Sequence, residues 1–460
     1  MCSRWGAPGE DRAGVDNDAG KRGPRGVPDL AEAHAMSLLP QHTELDVIGA
    51  GLTVRLPGGD TVPFAHLDYA ASAPCVRAAA DAVEGLLPWY GSVHRGAGVR
   101  SRTSTLEYER ARDIVAGFVG ARPGDAVVFT RNTTDALNLL ARCLPADVTT
   151  IVFDGEHHAN LLPWPATLRL ATPSSPDAAV EALDRALRSL RGPALLAVTG
   201  ASNVTGEVWP VRRLADVAHR HGARVVVDAA QLAPHSPVDL AELGADYLAL
   251  SGHKLYAPFG AGVLAGRADW LDTAAPYLRG GGASASVGDD AVTWATGPAR
   301  HEGGTPNLLG AVSLAAVCAA LGRADRAALH EREQSLLARL RDGLAGVPGV
   351  AEVSAFGAAQ PRVGIVSLAL PGGDAAEVAD RLADEHGIGV RAGQFCAHPL
   401  ARRLTGAAGV TGCDTATAAL LRVSFGLGTT DGDIDRFVAA IGALTSGAAG
   451  RQLVGVRAGR

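Results

Sequence analysis

RVVVDAAQLAPHSPVDLAELGADYLALSGHK, residues 224–254, is the stretch that decides the fold. It contains two short apolar runs, VVV at 225–227 and YLAL at 247–250, each ending in polar residues. Unbroken runs of this length read as strands buried on both faces, the pattern of a parallel sheet covered by helices. Asp228 and Lys254 then stand at or just beyond the carboxyl ends of neighbouring strands. Open parallel sheets collect their functional groups at those ends.

Outward from this stretch the same pattern repeats. AVVFT (126–130), TTIVFD (149–154), ALLAVTG (194–200), ARVVVDAA (223–230), DYLALSG (246–252) and AGVLAGR (261–267) read as strands. Between them DALNLLARCL, DAAVEALDRALRSL and VRRLADVAHRHG carry helical spacing. The alternation predicts a large α/β domain over 76–310 with a mostly parallel sheet. Within it, residues 270–310 are rich in glycine and are expected to form a long irregular loop. A long helical stretch follows at about 308–345, and later strands and helices end near 445. Residues 45–75 and 311–460 are assigned to a smaller α+β domain. Residues 1–44 read as a flexible tail, since their mixed charges, glycines and prolines offer no core and no apolar leader. Met1 and Met36 are the only methionines, and Met36 is read as an alternative start of translation.

The chain has 460 residues, 47% hydrophobic and 20% charged, which excludes disorder for its bulk. Its formal charge of −6 argues against nucleic acid or an anionic membrane as partner. No run of about 18 apolar residues offers a membrane-spanning helix. Cys2, Cys75, Cys143, Cys318, Cys396 and Cys413 show neither CxxC nor CxxxH spacing. No metal site or disulfide framework is therefore expected, and a reducing cytoplasm fits best.

Lysine use narrows the chemistry. Of the 42 basic residues only Lys21 and Lys254 are lysine. Arginine stays protonated and cannot serve as nucleophile or base, so an isolated lysine in an arginine-rich chain marks a place that needs an amine. Asp228 ends an apolar run, where a carboxylate needs a cationic partner. A protonated ring nitrogen for Asp228 and an aldehyde for Lys254 are together the requirements of pyridoxal phosphate chemistry. A structural ion pair is the plainer alternative. In RNTTDALN (131–138), Asn132 or Thr133 can cap a helix, and the Thr133 and Thr134 hydroxyls beside free N–H groups suit a phosphate. Ser251 and His253 add two further candidates. His157 and His158 lack the carboxylates or cysteines of a metal site, so one ring is read as stacking and the other as hydrogen bonding.

Together these residues resemble the class V, fold-type I pyridoxal-phosphate enzymes, and among them the group II (SufS-like) cysteine desulfurases and selenocysteine lyases. The resemblance runs through HLDYAASAP (66–74), HRG (94–96), RNTTDALN, EHHANLLPW, SNVTGE, VDAAQ, SGHKLYAPFGAG, EGGTPN (302–307), RAGQFCAHPL (391–400) and LRVSFG (421–426). It implies a seven-stranded, mostly parallel sheet in the large domain. It also implies that Lys254 binds the cofactor aldehyde, His157 stacks on its ring, Asp228 holds its nitrogen and Gln231 meets its phenolic oxygen. Thr133, Thr134, Ser251 and His253 would hold the phosphate, with Thr305 reaching over from the second chain of a homodimer. Asn203, Arg391 and Arg422 would serve the substrate carboxylate. Cys396 would be the nucleophile that takes sulfur from L-cysteine, releasing L-alanine, with a separate sulfur-acceptor protein downstream. Arg391 and His398 are placed to favour its thiolate. Gln394 and Phe395 depart from the family, which usually has histidine or another polar residue just before the nucleophile; an aromatic there predicts a more apolar surrounding for the thiol. Two other readings stay open. A C–S lyase, selenocysteine lyase, epimerase or aminotransferase would keep Lys254, Asp228 and Arg422, and a cofactor-loaded partner subunit would turn nothing over.

Overall fold

The computed structural model describes residues 45–370, 374–408 and 419–457. The tail read at 1–44, with Met36 and Cys2, lies outside these residues, as does Cys413. Seven strands build the central sheet: β1 Asp125–Thr130, β2 Thr149–Phe153, β3 Thr167–Leu170, β4 Ala194–Thr199, β5 Arg224–Asp228, β6 Tyr247–Ser251 and β7 Gly262–Arg267. Their order is β1-β7-β6-β5-β4-β2-β3. From β6 to β3 all pairs are parallel, while β7 runs antiparallel to both β6 and β1. The connection 252–261 is too short for the helical crossover that a parallel return requires. All six strands read from the sequence are present. The seventh, β3, escaped that reading because its TLRL alternates exposed and half-buried residues at the sheet edge.

The sheet is held by burial of the continuous apolar runs. Val226, Leu195, Ala249 and Leu264 pack into one cluster with Leu137 and Leu140 of the helix Thr133–Cys143. Each such side chain contributes about 1.5–3 kcal/mol when fully enclosed. Four further strands, β8 Ala351–Glu352, β9 Ile365–Ala369, β10 Arg391–Gly393 and β11 Leu420–Ser424, form an antiparallel sheet in the order β8-β9-β11-β10. Val366, Leu368, Val423 and Phe425 pack there against Leu336, Leu340, Phe437 and Ile441. Ala65–His66 pairs in parallel with Ile388–Gly389, so the segment just before the large sheet joins chain from far downstream.

Two expectations need correction. The helical stretch at 308–345 is two helices, Leu308–Arg323 and Arg326–Leu344, bent by 91°. Asp325 breaks it by accepting hydrogen bonds from the N–H groups of Ala327 and Ala328, which starts a new helix. The first of the two is buried over most of its surface and packs on Arg77–Leu86 and Val99–Phe118. The region 270–310 is not wholly irregular either. Ser284–Val287 and Val292–Trp294 form a hairpin, a short pairing hidden by the surrounding glycines.

Candidate active site

The carboxyl ends of the central strands open into a cavity of ≈ 230 Å³. On one side stands the helix Thr133–Cys143, capped by Asn132, whose Oδ1 accepts from the Asp135 N–H at 3.0 Å. The choice between Asn132 and Thr133 as cap thus falls to Asn132. The Thr133 N–H donates to Ser251 Oγ at 2.8 Å, and the two hydroxyls are also 2.8 Å apart. Thr134 is exposed and lines the cavity beside them. The approach of β7 depends on Gly262, because a Cβ there would stand 2.5 Å from Asn132 Cα. His253 Nδ1 lies 3.3 Å from the hydroxyl of Ser72, which comes from HLDYAASAP.

Asp228 is the last residue of β5 and is buried. Its Oδ1 accepts from the Ala230 N–H at 3.0 Å, and burial raises its pKa against the pull of Lys254. Burial also moves the Lys254 amine down to about 8; Asp228 opposes this, while Arg422 adds to it. His157 accepts at Nδ1 from the Ala159 N–H at 3.1 Å, which leaves the proton of the neutral ring on Nε2. Its pKa falls to about 3, chiefly by burial and then by the charges of Lys254, His158 and Arg422. Gln231 Nε2 donates to the Ala70 carbonyl at 2.8 Å, holding the amide at the cavity wall.

The opposite wall comes from the antiparallel sheet. Arg422 Nη2 pairs with Asp68 Oδ1 at 3.0 Å, and its Nη1 donates to the Asn203 carbonyl at 3.1 Å. Arg391, half exposed, reaches the other oxygen of Asp68 at 3.6 Å. Cys396 is exposed, whereas Cys143 and Cys318 are buried and burial raises both thiol pKa values, that of Cys143 to about 12. Cys396 lines the same cavity as Lys254 and Arg422.

Asn203, His398, Phe395 and Thr305 complete the expected set. Asn203 does line the cavity, but its Nδ2 donates to the Phe395 carbonyl at 2.7 Å. His398 faces the His158 ring edge-on at 4.4 Å. The Phe395 ring is buried in a cluster with Val204, Leu400 and Leu420, away from solvent, while Cys396 next to it stays open. The aromatic is thus held in the apolar cluster, and Phe395 also lines the cavity beside Cys396. Thr305 is exposed and lines a different cavity, with Tyr108 and Tyr277. Sequence reading missed Asp68 and Glu156. Asp68 sits in a quoted motif, but its partners Arg391 and Arg422 lie far along the chain. Glu156 adjoins His157 with no local sign that it is enclosed.

This donor set fits pyridoxal phosphate. Asp228 is an enclosed carboxylate whose side chain accepts from a backbone N–H and faces a lysine, the environment that a protonated ring nitrogen would complete. A neutral imidazole, an enclosed amine near pKa 8, and a group of hydroxyls at a helix N-terminus supply the ring, aldehyde and phosphate contacts. His157, Lys254, and Thr133, Thr134, Ser251 and His253 would make them. Among the described residues no group of three or more His, Cys, Asp or Glu side chains is arranged to hold a metal ion.

The aminotransferase class-V family model matches residues 65–437. The chain is 37% identical over 395 residues to a cysteine desulfurase of Klebsiella pneumoniae (strain 342), spanning 82% of this chain and 93% of that relative. It is 34% identical to a probable cysteine desulfurase of Vibrio cholerae, over 82% and 93% of the two chains. Among solved structures it is similar to a cysteine desulfurase of Escherichia coli in its S-sulfonic acid form, with TM-score 0.70, 32% identity and coverage of 82% and 94%. The apo cysteine desulfurase of Thermococcus onnurineus NA1 gives TM-score 0.74, 30% identity and coverage of 84% and 95%.

Proposed function

The chain belongs to the aminotransferase class-V family, and from that premise we propose that it is a cysteine desulfurase, which converts L-cysteine and the Cys396 thiol into L-alanine and a Cys396 persulfide. The observation that carries this reading is a single cavity lined by Lys254, Asp228, Arg422 and Cys396.

Bound pyridoxal phosphate supplies the electron sink for the carbanion left when the substrate α-proton departs. Lys254 Nζ, brought down to about 8 by burial, accepts and returns a proton near neutral pH, as moving the α-proton requires. Asp228 keeps a positive charge opposite its carboxylate. Arg422 binds the substrate carboxylate, an anion well matched to a guanidinium, while Asp68 and the Asn203 carbonyl fix its orientation. The Cys396 thiolate attacks the substrate sulfur. A sulfur–sulfur bond forms, the Cβ–S bond breaks with its electron pair passing to carbon, and a proton added at Cβ completes alanine.

The reading includes two copies of the chain and a separate protein that accepts the sulfur. The exposure of Thr305, outside the cavity of its own chain, supports its serving the cofactor phosphate of a second copy. The exposure of Cys396 supports transfer of sulfur to another protein. A reducing cytoplasm would keep that thiol ready.

The test measures L-alanine formed from L-cysteine, with a thiol reductant present, by wild type and Cys396→Ala. Wild type is expected to form alanine and the variant to fall to background. Equal rates in both would reject the role of Cys396 and turn the search to other amino acids.

A further inference from the structure

The turn that carries the thiol holds two consecutive non-glycine residues in the left-handed region, Phe395 at φ 51° and Cys396 at φ 54°. Side chains disfavour that conformation, and it persists only where surrounding contacts impose it. Those contacts are specific. The Phe395 carbonyl accepts from Asn203 Nδ2 at 2.7 Å, the Cys396 carbonyl from the His158 N–H at 2.7 Å, and the Gln394 carbonyl from the Ala397 N–H at 2.9 Å. The Phe395 ring is sunk in an apolar cluster, and its face lies 4.7 Å beneath the Arg422 guanidinium. Arg422 in turn donates to the carbonyl of Asn203. Phe395, Asn203 and Arg422 thus close a ring of contacts that joins the carboxylate-binding arginine to the thiol-bearing turn.

We propose that Phe395 is the positioning residue of the nucleophile: its buried side chain and its Asn203-bound carbonyl anchor the Cys396 turn, so that the thiol is set relative to the substrate sulfur. This rests on the desulfurase reading above. An aromatic at this position is compatible with reactivity because its ring is held in the apolar cluster and its backbone, not its polarity, serves the thiol. Moving a proton at the α-carbon needs Lys254 but not the turn, whereas attack on sulfur needs both, so the two steps separate the proposal from a general loss of structure.

The experiment compares wild-type holoenzyme with Phe395→Gly and Phe395→Leu. Glycine accepts the left-handed backbone but removes the anchor, while leucine keeps an apolar anchor. Single-turnover persulfide formation on Cys396 is read by mass spectrometry, and α-proton exchange of L-alanine in deuterated water is read by NMR. Phe395→Gly is expected to lose about 10²-fold in persulfide formation, the scale of a 1 Å misplacement, with at most about a three-fold loss of exchange. Phe395→Leu should restore most of the persulfide rate. Equal losses of both reactions in Phe395→Gly, or a wild-type persulfide rate, would overturn the proposal. Backbone amide exchange over 391–400 gives a readout independent of turnover. It should speed up in Phe395→Gly and in Asn203→Ser but not in Phe395→Leu, and a wild-type rate in Asn203→Ser overturns the anchoring even where Phe395→Gly does not fold. Wild-type holoenzyme that forms no persulfide rejects the functional reading instead, a result the amide exchange keeps distinct.

Discussion

Glu156 is enclosed beside the cavity, its Oε1 accepting from the Thr199 N–H at 3.0 Å and its Oε2 from Asn160 Nδ2 at 2.9 Å. Burial, with the charge of Asp228 adding, raises its pKa from 4.5 to about 8. The folded state therefore binds this proton more tightly than the unfolded chain does. Its contribution to stability is complete below about pH 4.5 and is lost as pH rises toward about 8. Glu156→Gln should flatten that fall, which urea unfolding of the apo protein between pH 4.5 and pH 8 would measure; an unchanged slope would mean that the carboxyl is already ionised when folded. Lysine scarcity and an aspartate after an apolar run make Lys254 and Asp228 readable in the sequence. Glu156 is not readable, since its enclosure depends on strand β4 arriving from elsewhere.

Among the elements, the helix Thr133–Cys143 links stability to the cofactor site. Asn132 caps it, and Thr133 and Thr134 open its first turn toward the cavity. Asn132→Ala should cost about 1 kcal/mol of stability. It should also weaken pyridoxal phosphate binding, because the same cap orients those hydroxyls. Urea unfolding and equilibrium dialysis of the cofactor measure the two effects; a stability loss with unchanged cofactor affinity would separate the cap from the phosphate site. The helix was legible from spacing and a capping residue, both local signals. The break at Asp325 was harder to read, since apolar spacing resumes on both sides of it. Strand β3 was missed because an edge strand with one open side lacks the continuous apolar run of its neighbours.

Across the whole molecule, the central and antiparallel sheets meet at a buried polar seam. Arg362 and Glu207 side chains are each 1% exposed and lie 3.5 Å apart. Glu207 also accepts from the Ser354 hydroxyl and from the Ala355 and Phe356 N–H groups. Gly206 allows the close approach, at φ 72°, where a Cβ would stand 2.3 Å from the Ile365 carbonyl oxygen. Arg362 also lies 3.3 Å from Glu352, which keeps Arg341 as a partner, so Arg362→Met leaves Glu207 uncompensated and should cost about 3–5 kcal/mol. Arg362→Met combined with Glu207→Gln should recover part of that in urea unfolding; a double variant as unstable as the sum of the single ones would show that the two side chains do not act as a pair. The seam also helps place Asn203, which lies four residues upstream of Glu207 and donates to the Phe395 carbonyl. By itself the sequence determined the strand-and-helix alternation, the strand ends that hold Lys254 and Asp228, and the class of cofactor, because each follows from neighbouring residues and their spacing. Only the tertiary structure decided that Asp68 braces Arg422, that Asn203 holds the Phe395 carbonyl, and that Phe395 is buried in an apolar cluster with Val204, Leu400 and Leu420. Those contacts join residues far apart along the chain, and long-range packing brings them together without any local signal.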